Sequence, residues 1–128
     1  MKKLIQGIVD FRRTVRDGYK DTFAHLAIQQ SPDTLFIACS DSRVVPNTFA
    51  STNPGDLFVL RNVGNLIPPC GLMGVSTSDE AEAAAIEYAL LNLKVSYIVV
   101  CGHSECAAMR ALVGNRHIVE HPNLRSWL

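Results

Sequence analysis

Two short apolar runs in this chain each end in side chains that can bind metal ions. Residues 35–37 form the first run and Cys39 follows it; residues 95–100 form the second run, and His103 and Cys106 follow it. Runs of this length and composition are typical of buried strands in a parallel sheet. Because the carboxyl ends of parallel strands lie at one edge of the sheet, the sequence predicts that these three side chains meet.

The predicted cluster has the ligand chemistry of zinc. Two thiolates and one imidazole are ligands that zinc prefers, and an open fourth position is typical of a catalytic site rather than a structural one. Asp41 and Arg43 follow the first ligand closely, so we expect a carboxylate and its guanidinium partner beside the open position. Asp41 could accept a hydrogen bond from a zinc-bound hydroxide, or it could itself occupy the fourth position and switch the site off.

The other cysteines and histidines lack ligand spacing. Cys101 lies within the apolar run and is predicted to pack in the core. Cys70 is predicted to be a loop thiol, and surface positions are predicted for His25, His117 and His121.

The order of elements predicts the fold class. Amphipathic spacing indicates helices over residues 2–15 and 19–29, which form an N-terminal helical arm. The strands and helices that follow alternate along the chain. This alternation predicts an α/β fold with a mostly parallel central sheet and helices on both faces. The predicted strands are 34–38, 57–60 and 95–101; the predicted helices are one opened by Pro46, one capped by Ser78 that ends near residue 92, and one capped by Ser104 whose first turn carries Cys106.

Length and composition bound the architecture and the partners. With 128 residues, the chain is predicted to be a single domain spanning 1–128. Residues 123–128 have the pattern of an amphipathic helix that has just begun, so we expect the domain to be truncated at its C-terminus. Hydrophobic residues make up 48% of the chain and charged residues 19%, which indicates that a partner chain covers part of the apolar surface. Twelve basic and twelve acidic residues argue against a nucleic-acid partner.

The sequence also favours a cytoplasmic protein. No apolar stretch has the length of a transmembrane helix, and charged residues interrupt the first 13 residues, which argues against a signal peptide. Four cysteines could form two disulfides, but Cys39 and Cys106 belong to the metal-ligand pattern. A reducing compartment is therefore the simpler interpretation.

In combination, these motifs resemble the β-class carbonic anhydrases. The resemblance covers the chain from about residue 30 to about residue 112 and is carried by residues 38–44, 54–59, 61–65, 85–89 and 99–106. It implies zinc held by Cys39, His103 and Cys106, with Asp41 and Arg43 as the catalytic dyad. It further implies a lyase that hydrates CO₂ reversibly to bicarbonate and a proton through zinc-bound hydroxide, in a homodimer or a larger homo-oligomer.

The resemblance also suggests a substrate lining of the plant-like branch. Gln30, Phe58, Val63 and Tyr88 occupy its matching positions, and the neighbouring subunit supplies Gln30 and Tyr88 in family dimers. From the residues alone, Phe58 and Tyr88 would be ordinary core aromatics. One position departs from the family pattern, because the family usually has Gly after the second ligand Cys, where this chain has Ala107.

Two alternative functions remain compatible with the sequence. A hydrolase of carbonyl sulfide or carbon disulfide could use the same fold and metal site, although the plant-like lining favours CO₂. A non-catalytic module stabilised by zinc is the second alternative. The open coordination position and the Asp41–Arg43 pair favour an enzyme over such a module.

Overall fold

The computed structural model describes residues 1–75, 80–115 and 120–128. The chain divides into two compact units, Met1–Ser31 and Pro32–Leu128. The predicted cap at Ser78 and the predicted surface histidine at position 117 lie outside the described residues. Within these described ranges, no helix combines the length and the hydrophobicity that crossing a bilayer requires.

The N-terminal unit is helical along most of its length. Helix α1 (Lys2–Asp10) runs into a π-helical turn (Phe11–Val15), a 3₁₀ turn (Arg16–Tyr19) and helix α2 (Lys20–Ile28). The predicted helical arm is therefore confirmed. The predicted gap between the two helices is confirmed as well, because a 3₁₀ turn lies there and Tyr19, the N-cap of α2, is outside helical geometry.

The C-terminal unit is built on a three-stranded parallel sheet. Strands β1 (Thr34–Cys39), β2 (Leu57–Asn62) and β3 (Tyr97–Cys101) are arranged in the order β2-β1-β3, and both pairings are parallel. This confirms the α/β prediction. Strand β2 extends two residues beyond its predicted end, and β3 begins two residues late because the backbone N–H groups of residues 95 and 96 bond to carbonyls outside the sheet.

Strand β1 is the centre of the core and is buried on both faces. Phe36 and Ala38 pack on one face, and Leu35 and Ile37 on the other, because successive side chains of a strand point to opposite sides. Side chains from two C-terminal helices, α5 (Ala107–Asn115) and α6 (Pro122–Trp127), join the first cluster. Residues of α4 (Glu80–Glu87) and of the π-helical turn that continues it (Tyr88–Leu93) join the second. A short helix, α3 (Pro46–Phe49), follows the loop after β1.

Strand β3 is an exception to the buried-strand prediction. Its residues Tyr97, Ile98, Val99 and Val100 are between 39% and 62% exposed. The strand lies at the edge of the described sheet, so only β1 covers it laterally. Cys101 at its end is half-buried and packs against the first core cluster, as predicted.

Candidate metal centre

The structure brings the three predicted ligands to one point. Cys39 is the last residue of β1, and His103 and Cys106 lie in the loop that follows β3. One ligand atom from each residue lies within 4.8 Å of the other two. The parallel pairing of β1 with β3 produces this convergence, because Ala38 stands beside Cys101 at the carboxyl edge of the sheet.

The geometry and chemistry of these atoms fit zinc. Sulfur ligands at about 2.3 Å from a tetrahedral zinc lie about 3.8 Å apart, and the Cys39 and Cys106 Sγ atoms are separated by 4.0 Å. His103 Nδ1 lies 2.9 Å from the Ser104 carbonyl oxygen, which places the ring hydrogen on Nδ1. Nε2 of His103 is buried and has no hydrogen-bond partner among the described residues, so its lone pair is available to a metal ion.

The turn between the last two ligands differs from the predicted helical turn. Helix α5 begins at Ala107, and Cys106 precedes it as the N-cap, whose carbonyl accepts the Arg110 N–H at 3.0 Å. Glu105 has a φ of 56°, in the left-handed region. A left-handed residue interrupts helical geometry between His103 and Cys106, so the prediction that Ser104 caps a helix containing Cys106 is wrong.

Backbone N–H groups favour the thiolate form of Cys39. The N–H groups of Asp41 and Gly64 each lie 3.4 Å from its Sγ. Burial by itself raises the pKa of this thiol, but these two N–H groups, together with the neighbouring His103 and Cys106 side chains, outweigh burial and lower the pKa to about 7. The thiolate is the form that binds metal.

Asp41 and Arg43 form the predicted pair. Arg43 Nε donates to Asp41 Oδ1 at 2.9 Å, its Nη2 donates to Oδ2 at 2.8 Å, and its backbone N–H donates to Oδ1 at 3.0 Å. These hydrogen bonds hold the pKa of Asp41 well below its usual range, and Asp41 in turn raises the pKa of Arg43. Asp41 Oδ2 lies 4.0 Å from His103 Nε2, so an ionised carboxylate stands beside the ligand cluster.

A cleft opens beside the cluster. It has a volume of about 340 Å³, and Arg43, Val44, Phe49, Cys101 and His103 are among the residues that line it. One wall comes from the segment after β1 and the other from the end of β3. The cleft therefore places apolar side chains and one guanidinium beside the His103 ring.

The predicted substrate lining is only partly near this cluster. Phe58 and Tyr88 contact each other with ring centroids 5.8 Å apart. Phe58 pairs with Leu35, four residues before Cys39, which at the rise of a strand is about 13 Å away. Val63 follows β2 and lines a second cleft that also contains Ser40. Gln30 is an exposed residue of the N-terminal unit.

Comparison with known proteins decides the family. A family model described as carbonic anhydrase matches residues 34–128. The chain belongs to the carbonic anhydrase family. A carbonic anhydrase of Synechocystis is 44% identical in an alignment of length 129, which covers 100% of this chain and 45% of the relative. The chain spans about half the length of the curated relatives it matches.

Solved structures place this carbonic anhydrase domain in the β class. The β-carbonic anhydrase CcaA has a TM-score of 0.90 and 44% identity, and the match covers 100% of this chain and 56% of CcaA. Two tetrameric β-carbonic anhydrases of Sordaria macrospora have been solved, and the matching chain has a TM-score of 0.79 and 33% identity, with 98% of this chain and 59% of that chain covered. The predicted family resemblance is therefore confirmed. Ala107, the departure from the family pattern, is exposed at the start of α5.

Sequence reasoning did not identify three contributors to the site. The Gly64 N–H supports the Cys39 sulfur, Glu105 makes the left-handed turn, and Arg61 donates hydrogen bonds to the backbone of Cys39 and Asp41. Arg61 and Gly64 both fall in the 61–65 motif that carries part of the family resemblance. That motif was the available signal, but it did not indicate what either residue does.

Proposed function

We propose that this chain is a carbonic anhydrase that hydrates CO₂ reversibly to bicarbonate and a proton, with zinc held by Cys39, His103 and Cys106. One observation carries the proposal. The three ligand atoms converge within 4.8 Å, and an ionised Asp41 stands with its Oδ2 4.0 Å from one of them. The relatives with which the chain shares 41–44% identity are named carbonic anhydrases, which supports the same conclusion.

Zinc, when bound, lowers the pKa of water so that it can attack CO₂ near neutral pH. Asp41 supplies the acceptor that orients this reaction. An ionised carboxylate only accepts hydrogen bonds, so Asp41 selects the orientation in which the attacking oxygen directs its hydrogen toward the carboxylate and a lone pair toward the substrate. Arg43 keeps Asp41 ionised by donating three hydrogen bonds to it.

The cleft beside His103 is the proposed substrate site. Val44 and Phe49 provide apolar walls for a nonpolar gas, and Arg43 provides a positive charge at the same cleft. Negative charge develops on the substrate oxygens as bicarbonate forms, and a fixed guanidinium stabilises that charge. The released proton passes to buffer.

We further propose that the active form is a cytoplasmic homodimer or larger homo-oligomer in which Gln30, Phe58, Val63 and Tyr88 line the substrate site. The Phe58–Tyr88 pair is separated from the ligand cluster of its own chain by about four residues of strand. This separation favours a role in lining the substrate site of a neighbouring copy. The tetrameric relatives of Sordaria support an oligomer. The free cysteines of the site suit a reducing compartment such as the cytoplasm.

Stopped-flow CO₂ hydration on protein of measured zinc content tests the proposed function. We expect hydration to scale with bound zinc and to disappear when a chelator removes the metal. The same preparation should be assayed with carbonyl sulfide and carbon disulfide. Hydrolysis of either substrate without CO₂ hydration would overturn the proposal in favour of the hydrolase. Folded, zinc-replete protein inactive on all three substrates would overturn it in favour of structural zinc.

A further inference from the structure

Arg61 connects β2 to the loop that carries the first metal ligand. Its Nε donates to the Cys39 carbonyl oxygen at 3.0 Å, and its Nη2 donates to the Asp41 carbonyl oxygen at 2.8 Å. In the sheet, Arg61 stands beside Ala38, the residue before that ligand. Its side chain therefore crosses from the neighbouring strand to the point where β1 ends.

The guanidinium is suited to fixing this loop. Its N–H groups have a rigid planar arrangement, so bonds from Nε and Nη2 set the separation of the two carbonyls that they reach. Both bonds have a charged donor, which makes them stronger than neutral hydrogen bonds. The Ser40 N–H donates to the Asn62 carbonyl at 2.8 Å, so residues 39, 40 and 41 are each bonded to the end of β2.

This tether differs in kind from the Asp41–Arg43 pair. Arg43 lies two residues from Asp41, so their hydrogen bonds fix the carboxylate relative to its own loop. They do not fix that loop relative to His103 and Cys106, which follow a different strand. Arg43 reaches that strand's loop through one bond from Nη2 to the Glu105 carbonyl, and this bond is 3.4 Å long. The shorter bonds from Arg61 connect the loop to the sheet.

We propose that Arg61 is a positioning residue that holds the Asp41 carboxylate beside the fourth metal position and keeps it from entering that position. The Asp41 carbonyl is anchored to β2, so a shift of the loop backbone toward the ligands would break a charge-assisted bond. The hydrogen bonds from Arg43 restrain rotation of the side chain itself. The inference rests on the proposed function for its consequence in turnover. Its structural content concerns the distance between Asp41 and the metal and can be measured without substrate.

The test compares Arg61→Gln and Arg61→Lys with Arg16→Gln, a matched loss of charge at an exposed arginine of the N-terminal unit. Each protein is loaded with zinc for kinetics and with Co²⁺ for absorption spectroscopy, and zinc affinity is measured by chelator competition. For Arg61→Gln we expect kcat to fall about 10- to 100-fold with a smaller change in KM. We also expect the Co²⁺ spectrum to change, because Asp41 gains access to the metal. Arg16→Gln should match the parent chain in all three measurements.

Rescue separates positioning from a general loss of stability. Arg61→Lys keeps the charge and the alkyl stem but reaches one carbonyl at a time, so it should recover part of kcat and of the parent spectrum. Millimolar guanidinium should do the same for Arg61→Ala. If Arg61→Gln fails to fold, the lysine variant and the guanidinium titration decide the question. The proposal would be overturned if Arg61→Gln had the kcat and the Co²⁺ spectrum of the parent chain. It would also be overturned if kcat fell, neither rescue restored it, and the Co²⁺ spectrum remained that of the parent chain.

The outcomes also separate this inference from the proposed function. If the zinc-replete parent chain does not hydrate CO₂, the proposed function fails. A Co²⁺ spectrum that changes in Arg61→Gln and recovers in Arg61→Lys would still support the positioning role. If the parent hydrates CO₂ but the spectrum is the same in every variant, the function stands and the positioning role is overturned.

Discussion

The carboxylate of Asp41 accepts three hydrogen bonds from Arg43, two from the guanidinium and one from the backbone N–H. Both residues lie in the same loop, so these hydrogen bonds do not depend on the position of the loop relative to the rest of the sheet. Its consequence is a carboxylate that stays charged near a metal site, where it can only accept hydrogen bonds.

Replacing Asp41 should separate catalysis from metal binding. Asp41→Asn retains the shape of the side chain but offers N–H donors where only acceptors belong, so the attacking oxygen loses its orientation. We expect zinc content and melting temperature close to those of the parent, with CO₂ hydration reduced at least about 100-fold. Stopped-flow kinetics on metal-analysed protein measures this. The matched control is Asp17→Asn, an exposed carboxylate of the N-terminal unit; full turnover in Asp41→Asn would remove Asp41 from the catalytic pair.

The pKa of Asp41 should depend on Arg43. The hydrogen bonds from Arg43 lower it, so the carboxylate is ionised in the folded protein at pH values where an ordinary Asp is already protonated. In Arg43→Gln the pKa should rise toward the ordinary range near 4. A ¹³C NMR titration of the side-chain carboxyl should show no protonation of Asp41 down to about pH 3 in the parent chain and protonation near pH 4 in the variant. Identical titration curves would show that Arg43 does not hold the charge.

Zinc affinity should fall as the pH drops through 7. The Cys39 pKa is about 7, so its thiol is mostly thiolate above that pH and mostly protonated below it. Below pH 7, zinc must displace this proton, and each displaced proton costs about a factor of ten in affinity per pH unit. Chelator competition at a series of pH values should show a steeper dependence below 7 than above. A constant slope across pH 7 would contradict the assigned pKa.

The two cysteines of the proposed zinc site should be distinguishable from Cys70 and Cys101. The Sγ atom of Cys106 lies 4.0 Å from that of Cys39. Cys106→Ser replaces this thiolate with a hydroxyl group, which is a poor zinc ligand, so we expect zinc affinity to fall more than about 100-fold. Cys70→Ser and Cys101→Ser are matched controls because neither residue belongs to the ligand cluster. Metal analysis after dialysis against a chelator gives the readout. Loss of zinc from a control, with retention in Cys106→Ser, would refute the ligand assignment.

The turn between the last two ligands should tolerate glycine and reject β-branched residues. Glu105 has a φ of 56°, which is strained for any residue with a Cβ atom. Glu105→Gly relieves this strain but loses the exposed ion pair with Arg110, so we expect stability to rise by up to about 1 kcal/mol. Glu105→Val should lower stability by about 1 kcal/mol or more. Chemical denaturation of the metal-free proteins measures both changes, and the reverse order of stability would exclude a left-handed residue here.

The ligand cluster is predictable from sequence because the information is local and the geometry is general. One apolar run is followed by Cys39, and another is followed by His103 and Cys106. If both runs are parallel strands, their carboxyl ends lie at one edge of the sheet, which is enough to predict that the three side chains meet. The spacing after Cys39 also predicts the Asp41–Arg43 pair, and the family resemblance adds its role as a catalytic dyad. The structure confirms the sheet and brings the three ligands together.

The remaining features depend on contacts that leave little trace in the sequence. Arg61 donates to backbone carbonyls 20 and 22 residues away. Because every residue type has a backbone carbonyl, no sequence motif indicates this contact. Glu105 adopts a backbone conformation usually signalled by Gly or Asn, so its sequence favours the helical turn that does not form. The apolar composition of β3 predicts a buried strand, but it does not indicate which surface covers the strand.

The exposed faces of β3 restrict what can cover this strand. Tyr97 and Val99 project from one side of β3, and Ile98 and Val100 project from the other, so neither side is suited to water. A flat partner surface laid against one side would leave half of these side chains wet. A covering surface that shields β3 from water therefore has to contact both faces of the strand.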